Sequence, residues 1–232
     1  MIEAVLFDWG GTLSRFANVD MLDLWRAAAQ VLAPDRVDEL AAALLAAEDE
    51  VWARTGSSLR SATTHDVLAA ASAAVGLDVE AAAHDVAVEA YLDGWAPHTV
   101  AREDAKHVLA ELRGRGLRTG MLSNTHWPRE WHERWLSRDG ILDLLEVRVY
   151  TSDLEHIKPH PATFRVLLDA LDVAPERAVF VGDRLLDDIS GGKAVGMRTV
   201  HIDNAHVPRH DVEPDAHIVE LTELLDVVSA WS

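Results

Sequence analysis

The spacing of apolar residues divides the chain into two kinds of segment. A short continuous apolar run, Val5-Leu6-Phe7, stops at Asp8 and is followed by Gly10-Gly11, which is typical of a buried strand that ends in a tight loop. From about residue 20 to residue 95 the chain is instead rich in Ala and Leu at helical spacing. The breaks in this helical pattern fall at Pro34-Asp35, at Gly56-Ser57-Ser58 and at Gly76. The first segment therefore predicts a buried strand, and the second predicts four helices without a strand.

Beyond Pro97, helical and strand patterns alternate. Helices are predicted near 103–113, from 128, from 161, from 187 and near 221–228, and strands at 117–122, near 147–150, at 178–181 and at 198–202. Strands that alternate with helices pair in parallel and are covered on both faces. We therefore predict an α/β fold. Residues 1–15 and 97–232 form its Rossmann-like parallel-sheet core, and residues 16–96 form an inserted, all-helical cap domain.

Composition and charge restrict the partners of this protein. Hydrophobic residues make up 49% and charged residues 26% of the 232 residues, as in globular proteins that dissolve in water. The 21 Lys and Arg against 39 Asp and Glu give a net charge of -18, which repels nucleic acid and anionic membranes. The sequence has no cysteine, no basic amino-terminal leader and no apolar stretch that would span a bilayer. We predict a cytoplasmic protein with a small-molecule substrate, and the sequence carries no signal of oligomeric state.

Polar residues follow four of the predicted strands, at the edge where a parallel sheet binds its ligands. They are Asp8 and Thr12 after the first strand, Ser123 and Asn124 after the second, Lys158 after the third, and Asp183 and Asp188 after the fourth. Because the carboxyl ends of parallel strands meet at one edge of the sheet, we expect these side chains to surround one cleft.

These residue types suit displacement at a phosphate ester. A carboxylate such as Asp8 that attacks a phosphate dianion needs a divalent cation to neutralise the charge. Mg²⁺ prefers hard oxygen ligands, which are offered by Asp8, Asp183, Asp188 and the backbone carbonyl of Gly10. Ser123 would donate a hydrogen bond to a phosphoryl oxygen, and Lys158 would offset the charge of Asp8. Asp188 would either bind the metal or hold Lys158 in place.

The four motifs, in this order, resemble those of the haloacid dehalogenase superfamily. They are Asp8-Trp9-Gly10-Gly11-Thr12, Ser123-Asn124, Lys158-Pro159, and Gly182-Asp183 with Asp188. The resemblance covers nearly the whole chain. It implies a cap inserted between the first and second motifs. It also implies a Mg²⁺-dependent phosphatase that hydrolyses a small organic phosphate monoester through an aspartyl-phosphate intermediate.

One position departs from the phosphatases of this superfamily, which usually carry a second Asp two residues after the nucleophile as general acid and base. Here that position is Gly10. Loss of a positioned acid typically costs about 10²–10⁴-fold in rate. One alternative is therefore a catalytically weak protein that binds a phosphorylated metabolite for regulation. A 2-haloacid dehalogenase is less favoured, because dehalogenases of the superfamily work without a metal and without an acidic fourth motif.

Further residues are candidates for roles around the cleft. His126, two residues beyond Asn124, is a candidate for the missing proton carrier because imidazole titrates near neutral pH, and fixing the loop is the alternative. We assign Thr12, Asn124 and Trp9 to substrate binding. Loop geometry is the alternative for Thr12, and core packing is the alternative for Trp9. Asp187 is expected to cap the helix that follows it.

Overall fold

The computed structural model of the protein describes residues 1–231. Within this range a sheet of six parallel strands forms the centre, in the order β3-β2-β1-β4-β5-β6. The strands are β1 (Ala4–Phe7), β2 (Arg118–Ser123), β3 (Val147–Tyr150), β4 (Ala178–Gly182), β5 (Arg198–Ile202) and β6 (Ala216–Ile218). The predicted α/β fold is confirmed, and the five predicted strands lie within one residue of their predicted bounds.

The sixth strand, β6, was not predicted. It has three residues, of which only Ile218 is buried, so the sequence shows neither an apolar run nor a clear alternation. The strand exists because it pairs with the edge of β5.

The central position of β1 aligns the strand ends. All four residues of β1 are buried, because β2 and β4 flank the strand and apolar layers cover both faces of the sheet. Phe7 is in register with Met121 of β2 and Val181 of β4. The residue that follows β1, Asp8, therefore enters the carboxyl edge of the sheet between two neighbouring strand ends.

Helices cover the two faces of the sheet. They are α5 (Ala105–Gly114), α6 (Arg129–Arg138), α7 (Pro161–Leu171), α8 (Gly191–Ala194) and α9 (Leu224–Trp231), and four earlier helices lie between β1 and β2. A π-helical turn, Leu185–Ser190, precedes α8. Asp187 lies inside this turn and makes no capping hydrogen bond there, so its predicted role as a helix cap is wrong.

Four helices lie between β1 and β2, and we call them the helical insertion. They are α1 (Met21–Leu32), α2 (Val37–Ser58), α3 (Thr64–Ala74) and α4 (Ala81–Trp95). The carboxylate of Asp20 caps α1, and Thr63 with Asp66 forms a capping box at α3. α2 ends at Ser58, within the predicted break at Gly56-Ser57-Ser58, and the next residue, Leu59, adopts a left-handed conformation with φ of 56°. None of the helices within residues 1–231 has the length and apolar character to cross a membrane.

The chain leaves and re-enters the sheet domain through adjacent segments. The N–H of Arg15 donates to the carbonyl of Val100 at 3.2 Å, and the N–H of Arg102 donates to the carbonyl of Leu13 at 2.8 Å. The helices of the insertion share a separate apolar cluster, into which Trp131 and Trp135 of α6 also pack. The boundaries near residues 15 and 97 and the role of the insertion as a cap stay predictions.

Candidate active site

The buried ammonium group of Lys158 lies between two carboxylates. Its Nζ is 2.6 Å from Oδ1 of Asp8 and 2.7 Å from Oδ1 of Asp188, and all three side chains are buried. Removing one partner of a buried ion pair typically costs about 3–5 kcal/mol, because the remaining charge is left without compensation. These three residues, which the sequence predicted to meet, form one electrostatic unit at the carboxyl edge of the sheet.

Hydrogen bonds from neighbouring strand ends position this unit. The N–H of Asp8 donates to the carbonyl of Val181 at 2.9 Å, which holds the loop after β1 against β4. Asn124, just beyond β2, makes two hydrogen bonds to the backbone of Lys158. Its Oδ1 accepts from the N–H of Lys158 at 2.8 Å, and its Nδ2 donates to the carbonyl of Lys158 at 3.1 Å. Asn124 therefore positions the lysine as well as lining the cleft.

Two glycines allow the acidic side chains to approach. At Gly182, the last residue of β4, a Cβ would collide with the carboxylate of Asp188. At Gly11 the backbone has a φ of +84°, and a Cβ would collide with the carboxylate of Asp183 and the amide of Asn204. Glycine alone adopts such a φ without penalty and leaves this space open.

Asp183 completes a group of three buried carboxylates with Asp8 and Asp188. One ligand oxygen from each lies within 4.8 Å of the others. Oδ2 of Asp183 accepts from Nδ2 of Asn204 at 2.6 Å, whereas Oδ1 is buried without a hydrogen-bond partner among residues 1–231. A buried oxygen left in this way costs about 1–3 kcal/mol unless a ligand satisfies it. This donor set fits Mg²⁺, which binds hard oxygen ligands.

Burial and mutual repulsion shift the titration of this group. Burial raises the pKa of Asp183 to about 6, and the charge of Asp8 adds to the rise. Burial also raises the pKa of Asp188 to about 8, against the opposing effect of Lys158. For Lys158, burial lowers the pKa, but the carboxylates of Asp188 and Asp8 outweigh burial and raise it overall. The lysine is therefore charged at neutral pH, and the acidic group favours an added cation.

A cleft of about 460 Å³ opens over the ion network, a size that suits a small ligand. It is lined by Asp8, Gly10, Asn124, Ile157, Lys158, Arg184 and Asp187 of the sheet domain and by Trp52, Thr55 and Gly56 of α2. The helical insertion thus forms one wall of the cleft. Arg184 adds a second positive charge, beside that of Lys158, to a site that carries several carboxylates.

Two hydroxyl residues lie buried at the same edge of the sheet. Ser123 is the last residue of β2, next to β1. Thr12 lies in the loop after β1, and its Oγ1 is buried without a hydrogen-bond partner in the described part of the chain. Such a hydroxyl is available to donate to a bound anion.

Two residues that the sequence assigned to the site lie elsewhere. Trp9 is 3% exposed and packs in the apolar cluster on one face of the sheet, so its position corresponds to core packing. His126 is buried against α2, with Nε2 3.3 Å from Oε1 of Glu48 and its ring 5.4 Å from the ring of Trp52, which forms part of the cleft wall. Burial lowers the pKa of His126 to about 4, so its imidazole is neutral near pH 7 and poorly matched to a general acid.

Other residues at the site were not predicted. Asn204 follows β5, so the rule that identified the other strand-end residues also points to it. Arg184 directly follows Asp183 and was identifiable from that neighbour alone. Trp52 and Thr55 carry no such signal, because their direction depends on how α2 packs over the sheet.

The fold and this site define an enzyme of the α/β class whose parallel sheet carries a buried aspartate and its lysine partner at the carboxyl edge. A model of the haloacid dehalogenase-like hydrolase family matches residues 2–196, and the chain belongs to this family.

Curated relatives share part of the chain. Glyceraldehyde 3-phosphate phosphatase of Pyrococcus furiosus is 37% identical over 129 residues, which cover 53% of this chain and 52% of that protein. The enzyme of the same name from Methanopyrus kandleri is 35% identical over 66% of this chain and 67% of its own. Pyrophosphatase PpaX of Bacillus cereus is 30% identical over 63% and 62%. The chain thus aligns with about half to two thirds of the length of these relatives.

Solved structures align with nearly the whole chain. A 2-haloacid dehalogenase from Pseudomonas syringae pv. Tomato DC3000 is 27% identical, with a TM-score of 0.73 and full coverage of both chains. A HAD phosphatase from Thermococcus onnurineus is 25% identical, with a TM-score of 0.68 and 98% coverage of both chains.

Proposed function

We propose that this protein is a Mg²⁺-dependent phosphohydrolase that acts on a small organic phosphate through an aspartyl-phosphate intermediate at Asp8. The observation that supports this most strongly is the buried pair of Asp8 and Lys158 beside Asp183 and Asp188, under a cleft of small-molecule size. The phosphatase names of the curated relatives agree with it. Asp8, Asp183, Asp188 and the carbonyl of Gly10 would hold Mg²⁺, which would neutralise charge between the nucleophile and the phosphate dianion.

The residues of the chain divide the remaining work. Lys158 holds Oδ1 of Asp8, so Oδ2 is left to attack phosphorus, and the bond to the leaving oxygen breaks as the bond to Asp8 forms. Ser123 and Thr12 donate hydrogen bonds to phosphoryl oxygens, and the ammonium of Lys158 offsets the growing negative charge. Water then attacks the phosphoryl group on Asp8, which releases phosphate and restores the carboxylate.

Release of inorganic phosphate from a panel of phosphate esters and anhydrides tests this proposal. Asp8→Asn removes the nucleophile at nearly constant shape, so we expect turnover to fall by at least about 10³-fold while the circular dichroism spectrum stays unchanged. Asp143→Asn, a matched change at an exposed aspartate outside the cleft lining, should keep full activity. Chelation of Mg²⁺ should abolish turnover of the parent protein. Activity that survives in a folded Asp8→Asn protein, or in the presence of chelator, would refute the mechanism.

A 2-haloacid dehalogenase is the second candidate function. Gly10 in place of an acid and the likeness to the Pseudomonas syringae dehalogenase favour it. The buried Asp183 and Asp188 disfavour it, since metal-free attack by Asp8 on carbon gains nothing from two further carboxylates nearby. Halide release from 2-chloropropionate in metal-free buffer decides between the two functions.

A regulatory protein that binds a phosphorylated metabolite is the third candidate, and Gly10 is again the feature that favours it. Calorimetry with the same panel would then show tight, Mg²⁺-dependent binding of a compound that is not hydrolysed. Measurable turnover of that compound would exclude this function.

A further inference from the structure

A second group of metal-ligating side chains lies at the edge of the sheet, outside the cleft. His201 of β5 and His217 of β6 are register partners in adjacent parallel strands, and their rings stack with centroids 5.1 Å apart. Asp203 lies two residues beyond His201, so the strand period places it on the same face. One ligand atom from each of the three residues lies within 4.8 Å of the others.

One of the three separations between ligand atoms is already close to that of two ligands that share an ion. Ligands at about 2.0–2.1 Å from a tetrahedral Zn²⁺ lie about 3.3 Å from each other. Nε2 of His217 is already 3.0 Å from Oδ1 of Asp203. Both of these side chains are about half exposed, so small rotamer changes would bring all three ligand atoms within bonding distance of one ion.

His201 is held as a metal ligand usually is. Its Nε2 bonds to the backbone carbonyl of Asp183 at 3.0 Å and must be the protonated nitrogen, because a carbonyl only accepts. The lone pair of Nδ1 is therefore left for a cation. In metal sites the second nitrogen of a ligating histidine almost always donates in this way, which fixes the ring and its tautomer.

The surroundings leave room for an exchangeable ion. The three side chains line a separate cavity of about 350 Å³ together with Asn204 and Arg209. A set of two imidazoles and one carboxylate suits late first-row cations such as Zn²⁺, and it suits Mg²⁺ poorly. The ligand chemistry thus differs from that of the all-carboxylate group at Asp8.

We propose that His201, Asp203 and His217 form a second cation site, which binds Zn²⁺ or a similar late first-row ion and joins β5 to β6. This proposal does not depend on the proposed function. The competing explanation is an ordinary ion pair between His217 and Asp203, which would bind no metal.

Calorimetric titration with Zn²⁺, in millimolar Mg²⁺ that occupies the carboxylate site, tests the proposal on the full, untagged chain. We expect one Zn²⁺ per chain, and a dissociation constant raised about tenfold or more in His217→Ala and in Asp203→Asn, since each loses a ligand. Because the chain has 12 histidines, His210→Ala serves as a matched control in the same exposed segment and should bind Zn²⁺ normally. Asp8→Asn should also bind normally, since the catalytic carboxylates are not involved.

Thermal unfolding supplies a second readout. Zn²⁺ should raise the melting temperature of the parent protein and of His210→Ala, and it should raise that of His217→Ala much less. Absence of Zn²⁺ binding by the parent protein would overturn the proposal. Equal Zn²⁺ affinity in the parent protein and His217→Ala would overturn it as well.

Discussion

At the scale of single residues, Gly10 is the position at which we expect a substitution to increase catalysis. It lines the cleft, its φ lies outside the left-handed region, and a Cβ added there meets no atom within 4 Å. Gly10→Asp is therefore sterically possible. We expect it to raise turnover of an alkyl phosphate by about tenfold or more, because this leaving group needs a proton, and to raise turnover of an aryl phosphate less.

The control for this prediction is Gly10→Ala, which adds the Cβ without the carboxyl group and should match the parent protein. Steady-state kinetics on both esters provide the measurement. If Gly10→Asp gives no gain on the alkyl ester while Gly10→Ala is neutral, position 10 is not the missing acid.

His126 is the second residue whose role can be separated. Its burial against Glu48 and its pKa of about 4 lead us to expect that His126→Gln destabilises the fold by about 1–3 kcal/mol and keeps kcat within about tenfold. Urea unfolding and a pH–rate profile measure the two effects. A loss beyond about 10²-fold, with loss of one limb of the profile, would instead make His126 the proton carrier.

At the scale of elements, α2 connects the interior of the helical insertion to the cleft. Its buried Glu48 accepts hydrogen bonds from Trp25 at 2.7 Å and from Tyr91 at 3.1 Å. One and two turns later, Trp52 and Thr55 line the cleft. Helical periodicity thus places a structural anchor and a substrate-facing wall on one element.

We therefore expect Trp52→Ala to raise KM several-fold and to leave kcat within about twofold, because it removes part of the cleft wall and no reacting group. Trp52 is 39% exposed and its ring packs edge-on against that of His126, so we expect the melting temperature to fall while the fold is kept. Val86→Ala, which shortens an exposed apolar side chain on α4, is the matched control. An unchanged KM in Trp52→Ala would show that α2 does not contact the substrate.

At the scale of the whole molecule, the acidic group couples stability to pH and Mg²⁺. The pKa values of Asp183 and Asp188 are raised in the folded state to about 6 and 8, above those of an unfolded chain. Their contribution to the stability of the metal-free protein is thus complete below about pH 4 and is lost as pH rises through 6 to 8.

Mg²⁺ should reverse this loss, because it binds the ionised carboxylates. We expect the Mg²⁺-induced rise in melting temperature to increase between pH 5 and pH 8.5. Above the dissociation constant, each tenfold increase in Mg²⁺ concentration should raise the melting temperature by about 3–6 °C. Calorimetric scans with and without Mg²⁺ measure this, and Asp183→Asn should reduce the rise. A pH-independent effect of Mg²⁺ would place the metal elsewhere.

The sequence by itself determined the parallel sheet and the core of the site. Apolar runs such as Val5-Leu6-Phe7 report burial on both faces, and the residue after each run lies at the carboxyl edge of the sheet. That local rule predicts Asp8 and Asp183, and the motifs that follow the third and fourth strands add Lys158 and Asp188, which the structure brings together.

Tertiary structure alone decided which way the remaining side chains point. His126 and Trp9 lie close to Asn124 and Asp8 in sequence, yet packing buries both rings, Trp9 in the apolar cluster on one face of the sheet and His126 against Glu48 of α2. β6 and the wall formed by α2 arise from contacts with distant segments, and no local pattern encodes those contacts. Hydrophobic spacing determines which face of an element is buried, but the partner of that face depends on how the whole chain packs.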